Sequence, residues 1–332
     1  MKTEKTNDVI GLGNALMDFL VEIDERQLGE LHFRKGEFHL ATEAQAQQLL
    51  DRIKQQQFSI EIIPGGSSAN TMKALAFLGS TVILCGKVGD DTYGEMYIQQ
   101  IQDHGVQARI PKHTARTGQA VTFITPDAER TFSVHLGAAV YLAPEDLLEE
   151  DIACSRVLHL EGYQLEGSTT EVVFRALELA QKHHTAVSID LADPGLIRRN
   201  KAFLQEIVRK YSTIVFVNEN EAKEFTGLLE EAAVRELAQH TTIAIVKLGA
   251  RGSLICADNT LTRIPAFPAQ VIDTTGAGDS YAAGFLHGYC RGWTIEQSGK
   301  LGSLLAAKVV EQKGMKVKHI NVQELLEQVE KG

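Results

Sequence analysis

Asp273-Thr274-Thr275-Gly276-Ala277-Gly278-Asp279, followed by Ser280-Tyr281-Ala282-Ala283-Gly284-Phe285-Leu286, is the stretch on which the reading of this chain turns. Its small residues let the backbone turn tightly and approach a ligand closely. The Gly-Ala-Gly step runs straight into an Ala-rich segment of helical character, so its N–H groups are the unpaired donors of a first helical turn. Those donors and the positive end of the helix dipole point the same way, which makes such a turn an anion site. Asp279 stands in the same turn and can hold a carboxylate close to that anion. Capping alone would explain Asp273 or Thr274 ahead of a helix and an acid in its first turn. Two glycines, an anion nest and an acid within four residues point further, to phosphate chemistry with a built-in base.

The rest of the chain sets the frame for that stretch. Its 332 residues suffice for one large α/β domain or a domain with an appendage. A formal net charge of −10 argues against a broad nucleic-acid surface, while leaving room for a nucleotide held by a few amides and one or two cations. No apolar run approaches the ~20 residues of a membrane span. The opening residues, Met1 to Asp8, are polar and lack the apolar core of a signal peptide. Cys85, Cys154, Cys256 and Cys290 form no CxxC pair, so neither a zinc site nor a disulfide framework is expected. Free thiols in a reducing cytoplasm are the plain expectation.

From the amino end, Val9-Ile10-Gly11-Leu12-Gly13-Asn14-Ala15-Leu16 reads as a buried strand running into a tight turn. Leu16 stands where a dinucleotide fingerprint needs its third glycine, and residues 17–23 alternate like a second strand rather than a helix. An NAD-dependent oxidoreductase is thereby disfavoured. Residues 24–57 form a polar excursion with helical stretches around 41–54. Pro64-Gly65-Gly66-Ser67-Ser68-Ala69-Asn70 then leads into a helix. A strand at 81–85 and a helix at 92–104 follow. Residues 119–125 and 130–134, separated by Pro126-Asp127-Ala128-Glu129, carry a hairpin signal. From residue 156 strands and helices alternate: strands at 157–160, 186–190, 213–217 and 242–248, helices at 169–183, from about 196, and at 219–226. A helix behind Asp279 and one over 294–311 close the pattern. Continuous apolar strands alternating with helices predict a parallel sheet covered on both faces. Ligands gather beyond the carboxyl ends of such strands, so Asp190, Asn218, Gly249 and Gly276 are expected around one crevice.

These elements resemble the ribokinase-like (PfkB) carbohydrate kinases from about Val9 to Gly314. The resemblance rests on Gly65-Gly66 followed by Asn70, on Asn218-Glu219-Asn220-Glu221, on Leu248-Gly249-Ala250-Arg251-Gly252 and on the 273–279 stretch, in that order. It implies one ribokinase-like kinase domain over residues 1–332, a doubly wound, mostly parallel α/β core with helices on both faces, with a small β-sheet lid built from about 15–62 and 113–137. It also implies an ATP-dependent enzyme that phosphorylates an alcohol, with Mg2+ as cofactor. A non-catalytic sugar- or nucleotide-binding protein on the same fold is the alternative from another class; the intact Asp279 and its loop speak against it.

In that reading Asp279 is the general base, and the N–H groups of Gly276, Ala277 and Gly278 form the anion hole. Contacts to ATP are implied at Asn218, Glu221, Lys247, Gly249, Gly252 and Thr274. Asn218 and Glu221 would organise magnesium-bound water, although the same pair can simply be an N-cap and its capping-box partner. Asp18, Gly65, Gly66 and Asn70 would meet the acceptor. Arg130 reads as an exposed hairpin arginine and stays outside the expected site.

The opening Gly11 to Asp18, the 24–57 insertion and residues 130–139 are similar to the adenosine-kinase side of the family. The acceptor reading therefore leans to a nucleoside, with Phe19, Phe123 and Phe132 as walls for a purine, ahead of a fructose- or 2-keto-3-deoxygluconate-type sugar. Ser67-Ser68 departs from what usually follows Gly-Gly in either branch. The resemblance leaves open activation by K+, near Asp273, Thr275 and the 313–314 turn, and a monomer against a lid-mediated homodimer. Neither a nucleic-acid polymer nor a membrane is expected as a partner.

Overall fold

Alternation of apolar residues decides which side of the sheet each strand feeds. In the strand Ile214–Asn218, Ile214 and Phe216 face one buried cluster, and Val215 and Val217 face the other. Val9 and Ile10 divide in the same way at the first strand. A strand buried on both faces needs helices on both faces, and the computed structural model has that arrangement. It describes residues 4–127, 129–317 and 319–330, without the side chains at 38 and 330. Ala128, in the expected hairpin turn, lies outside the described residues.

The main sheet has nine strands in the order Thr260–Ile264, Ser253–Ala257, Ile243–Lys247, Ile214–Asn218, Ala186–Asp190, Ser155–Glu161, Asn7–Leu12, Val82–Cys85 and Gln107–Arg109. The last seven of these pair in parallel, and the first two are antiparallel additions at one edge. Four adjacent parallel strands end in polar residues, with Glu161 opposite Asp190 and Asn218 opposite Lys247 in the register. This row lies at the carboxyl edge, where open α/β sheets bind ligands.

A second sheet has the strand order Phe38–Leu40, Arg130–His135, Gly118–Ile124, Leu16–Glu22 and Ile60–Gly65. The chain leaves the main sheet after Leu12 and returns through the helix Ser67–Phe77. Met17, Phe19, Val21, Val121 and Phe123 belong to one large buried cluster with Leu49, Leu50 and Ile53 of the helix Glu43–Gln55. Leu16, Ala120 and Val134 form a smaller apolar cluster of their own, with Phe132 and Leu136 packed against it. Phe19 and Phe123 are therefore fully buried core, which removes them from the expected purine walls.

The doubly wound, mostly parallel expectation holds, and the predicted strands and long helices agree with the fold to within a few residues. Four helices, Glu25–Glu30, Glu149–Ala153, Glu230–Leu237 and Val322–Glu330, were not expected. Among the described residues no helix is long and apolar enough to cross a membrane. The four cysteines are free, with Cys85 and Cys256 buried and Cys154 and Cys290 half-buried.

Candidate active site

The helix Ala277–Cys290 begins at Gly276, whose φ of 71° lies in the left-handed region that suits glycine. A Cβ there would also meet Met315 Cγ at 2.6 Å. Neither Asp273 nor Thr274 caps this helix; no side chain does. Capping as the whole explanation of the stretch is thereby overturned. The Ala277 N–H closes a turn onto the Thr274 carbonyl at 3.2 Å, so it is not a free donor as expected. The N–H groups of Gly276, Gly278 and Asp279 take no acceptor among the described residues and remain open to an anion.

Lys247 supplies a second source of positive charge. A Cβ at Gly278 would meet Lys247 Nζ at 3.1 Å, which puts the ammonium beside the first helical turn. The same ammonium donates to Asp190 Oδ2 at 2.6 Å. Burial alone would depress it, but Asp190 and Glu221 prevail and hold it above its ordinary value, fully charged. Amides, dipole and ammonium converge on one spot.

Two clefts of about 720 and 690 Å³ meet here. The first is walled by Ala266, Phe267, Ala306 and Val310 and includes Lys247, Gly249, Gly252, Ala277 and Gly278. The second runs between the two sheets and includes Asp18, Gly66, Asn70, Gly276 and Asp279, with Leu16, Phe132, Val134 and Leu136 on the small-sheet side. Asn218 and Thr274 line both. Among the expected site residues, Gly65 and Glu221 line neither cleft.

Gly65 acts by what it omits. A Cβ there would fall 2.1 Å from the Asp18 carboxyl, so only glycine lets Asp18 lie against that backbone. Glu221 is buried and locked to Asn218. Its Oε2 accepts from the Asn218 N–H at 2.7 Å, its Oε1 from Asn218 Nδ2 at 2.5 Å, and its own N–H donates to Asn218 Oδ1 at 2.9 Å. The capping-box reading of this pair holds. Among the described residues no three His, Cys, Asp or Glu side chains cluster as a metal site. An ion carried by polyphosphate oxygens and water fits that donor set better than one held by protein ligands.

Asn70 Nδ2 donates to Asp279 Oδ2 at 2.9 Å, which orients that carboxyl. Burial raises Asp279 to about 6; the Asn70 bond opposes this, and Asp190 adds to it. Asp18 is raised to about 7, chiefly by burial, with Lys73 and Arg130 pulling the other way. Lys73 is buried, donates to the Pro64 carbonyl at 2.8 Å and is lowered to about 8 by burial.

Polar residues of the second cleft that went unnoticed in the sequence include Glu161, Tyr163 and Gln164. Glu161 is buried, and burial with Asp279 and Asp190 nearby pushes its carboxyl well up. Its signal was its place at the end of a parallel strand, the criterion that selected Asp190 and Asn218. Arg130 is a correction. Its side chain is only 10 % exposed, it lines the cleft and it pairs with Asp273. An arginine at the head of a hairpin reads as solvated because nothing local reveals what packs above it.

Known proteins share this fold. The description of pfkB family carbohydrate kinases matches residues 39–319. The chain belongs to that family. A 5-dehydro-2-deoxygluconokinase of Clostridium perfringens is 31% identical over 262 residues, covering 74% of this chain and 78% of the relative. A deoxyribokinase of Salmonella typhi is 28% identical over 277 residues, covering 79% and 86%. The crystal structure of adenosine kinase from Sinorhizobium meliloti has a TM-score of 0.88 and 32% identity over 97% of this chain and 99% of that one. A probable sugar kinase from Rhizobium etli CFN 42 has a TM-score of 0.88 and 29% identity over 98% of both chains. This PfkB protein is thus a sugar or nucleoside kinase with the ribokinase-like α/β fold.

Proposed function

We propose that the protein transfers the terminal phosphoryl group of ATP to the primary hydroxyl of a neutral acceptor, first of all a nucleoside of the adenosine type. The observation that carries this reading is the Asp279 carboxyl at the junction of the clefts, one oxygen held by Asn70. The other oxygen takes the proton of the attacking hydroxyl. The open amides of Gly276, Gly278 and Asp279, with Lys247 beside them, stabilise charge on the migrating group. Mg2+, when bound with ATP, neutralises the phosphates, and Asn218 and Glu221 are suited to orient its water. The small sheet acts as a lid whose closure excludes water and so prevents idle hydrolysis.

The acceptor cleft favours a neutral molecule with an apolar part. Asp18, Asn14, Asn70 and Gln164 offer partners for ribose hydroxyls, and Leu16, Phe132, Val134 and Leu136 offer an apolar wall for a base. The one cation among its described lining residues, Arg130, is already paired with Asp273, so an acidic sugar would meet Asp18, Glu161 and Asp279 without a free counter-charge among those residues. The test is ATP-dependent ADP release over adenosine, inosine, deoxyribose, fructose, 2-keto-3-deoxygluconate and 5-dehydro-2-deoxygluconate. Turnover on a nucleoside that is lost in Asp279→Asn is the expected result. Preference for either sugar acid would overturn the neutral-acceptor reading.

A further inference from the structure

Arg130 begins the strand Arg130–His135 of the lid, and Asp273 begins the loop that leads to the anion hole. They are 143 residues apart, yet their side chains form an ion pair with exposures of 10% and 3%. Asp273 is a node for three segments. Its Oδ1 accepts from the Thr275 N–H and Oγ1–H, both at 2.9 Å, as well as from Arg130 Nη2. Its Oδ2 accepts from the Gly314 N–H at 2.7 Å. Each carboxylate oxygen has about two lone-pair directions, so Oδ1, with three donors, is fully taken up, while Oδ2 accepts from Gly314 alone among the described residues. Burial would push this carboxyl up, but the bonds from Gly314 and Thr275, together with Arg130, outweigh it and hold Asp273 below the usual carboxylate range.

The monovalent cation left open by the family resemblance does not fit at this carboxylate. Its charge is already matched by a buried guanidinium, and Oδ1 has no lone pair left to give. We propose that Arg130 is a positioning residue that serves as the cation of Asp273, so that lid closure, rather than an added monovalent ion, fixes the anion-hole loop. The path is short. Arg130 holds Asp273, Asp273 holds Thr275, and Thr275 precedes the left-handed Gly276 that starts the helix. Two other lid contacts to the 313–316 loop, Lys313 with Glu22 and Lys316 with Glu61, join half-exposed or more exposed partners and add little. The buried pair is the one able to couple the two parts.

The test begins with amide hydrogen exchange on the free protein, which needs no acceptor and is therefore independent of the nucleoside reading. In Arg130→Ala, exchange over residues 273–280 and 312–316 should rise roughly tenfold, and in Asp273→Asn the lid strands at 118–135 should loosen in turn, because coupling is reciprocal. Arg130→Lys, which keeps a charge, should lie closer to wild type. The double variant should exceed either single one by little, as expected for two members of one contact. Melting temperatures identify any variant that fails to fold. The second arm uses any acceptor that turns over: wild-type kcat should stay within about twofold when K+ is replaced by tetramethylammonium, whereas ion-dependent coupling would move it by far more. Wild-type-like exchange at 273–280 in Arg130→Ala, or a tenfold or greater loss of wild-type kcat without K+, would overturn the proposal. A wrong nucleoside reading would instead show as turnover on another acceptor, with the exchange results unchanged.

Discussion

The two clefts that meet at Asn218 and Thr274 are built on opposite plans. The proposed nucleotide cleft is mostly apolar, is lined by strand ends of the main sheet, the helices Ala277–Cys290 and Ile295–Val309 and the loop at 266–274, and has one ammonium among its described lining residues, Lys247. The acceptor cleft lies between two sheets and concentrates Asp18, Glu161 and Asp279 within it. A polyphosphate can be gripped by backbone amides and a single cation, which one glycine-rich turn and one lysine supply. Neutral hydroxyls need side-chain acceptors aimed from several directions, and only separately folded elements can aim them. In the proposed reading, substrate choice therefore rests on the cleft that the small sheet completes.

Substitutions can break or sharpen this contrast. The largest effect should come where the clefts join: Asp279→Asn should cost at least ~10²-fold in turnover with the fold intact, as for a lost positioned base. Turnover and the melting curve check it together. The same carboxyl, raised to about 6, must be ionised to accept a proton, so wild-type kcat should fall as pH drops through about 6. A flat profile from pH 7 to 5 would remove Asp279 from the base role.

Lys247→Met probes the nucleotide side. It removes a charge from beside the anion turn and leaves Asp190 without its partner, so both activity and stability should fall, the latter by about 3 kcal/mol, the scale for breaking a buried pair. Denaturant titration and the KM for ATP report the two losses separately.

Asp18→Asn probes the acceptor side and should be milder and selective. It should raise the acceptor KM by about tenfold, the scale of one hydrogen bond to a charged group, while the KM for ATP stays put. Its stability effect has the opposite sign. The folded value of about 7 exceeds the unfolded value of about 4, so the folded state binds this proton more tightly. The group's favourable contribution is complete below about 4 and is lost as pH rises through about 7. The variant should therefore gain more in melting temperature at pH 8 than at pH 5.

Arg251→Ala should have the smallest effect. Although it lies between Gly249 and Gly252, its guanidinium pairs with Glu219 and Glu230, and it does not line the nucleotide cleft. The KM for ATP should change less than twofold, and a larger change would mean that this arginine turns inward when ATP binds.

Legibility in the sequence followed the range of the interaction. The anion turn could be read because its donors are consecutive residues, and the Asn218–Glu221 box because its partners lie three apart on one helix. The strands could be read from runs of apolar residues. Which phenylalanines of the small sheet line a cleft could not, because apolar residues occur on both faces of its strands: Phe19 and Phe123 are sealed inside while Phe132 lines the cleft. Glu161 carried the same strand-end signal as Asp190 and was passed over; only the packed site shows it beside Asp190 and Asp279.

By itself, then, the sequence determined the alternation of strands and helices, the parallel sheet, the phosphate-binding turn and the acid within it, since each depends on residues close together in the chain. The tertiary structure alone decided that Lys247 stands over Gly278, that Glu161 and Asp190 share one edge, and that Arg130 reaches Asp273. Those contacts join segments tens to more than a hundred residues apart. Their charges are shifted or held by burial, a property of the packed molecule that no local pattern of residues carries.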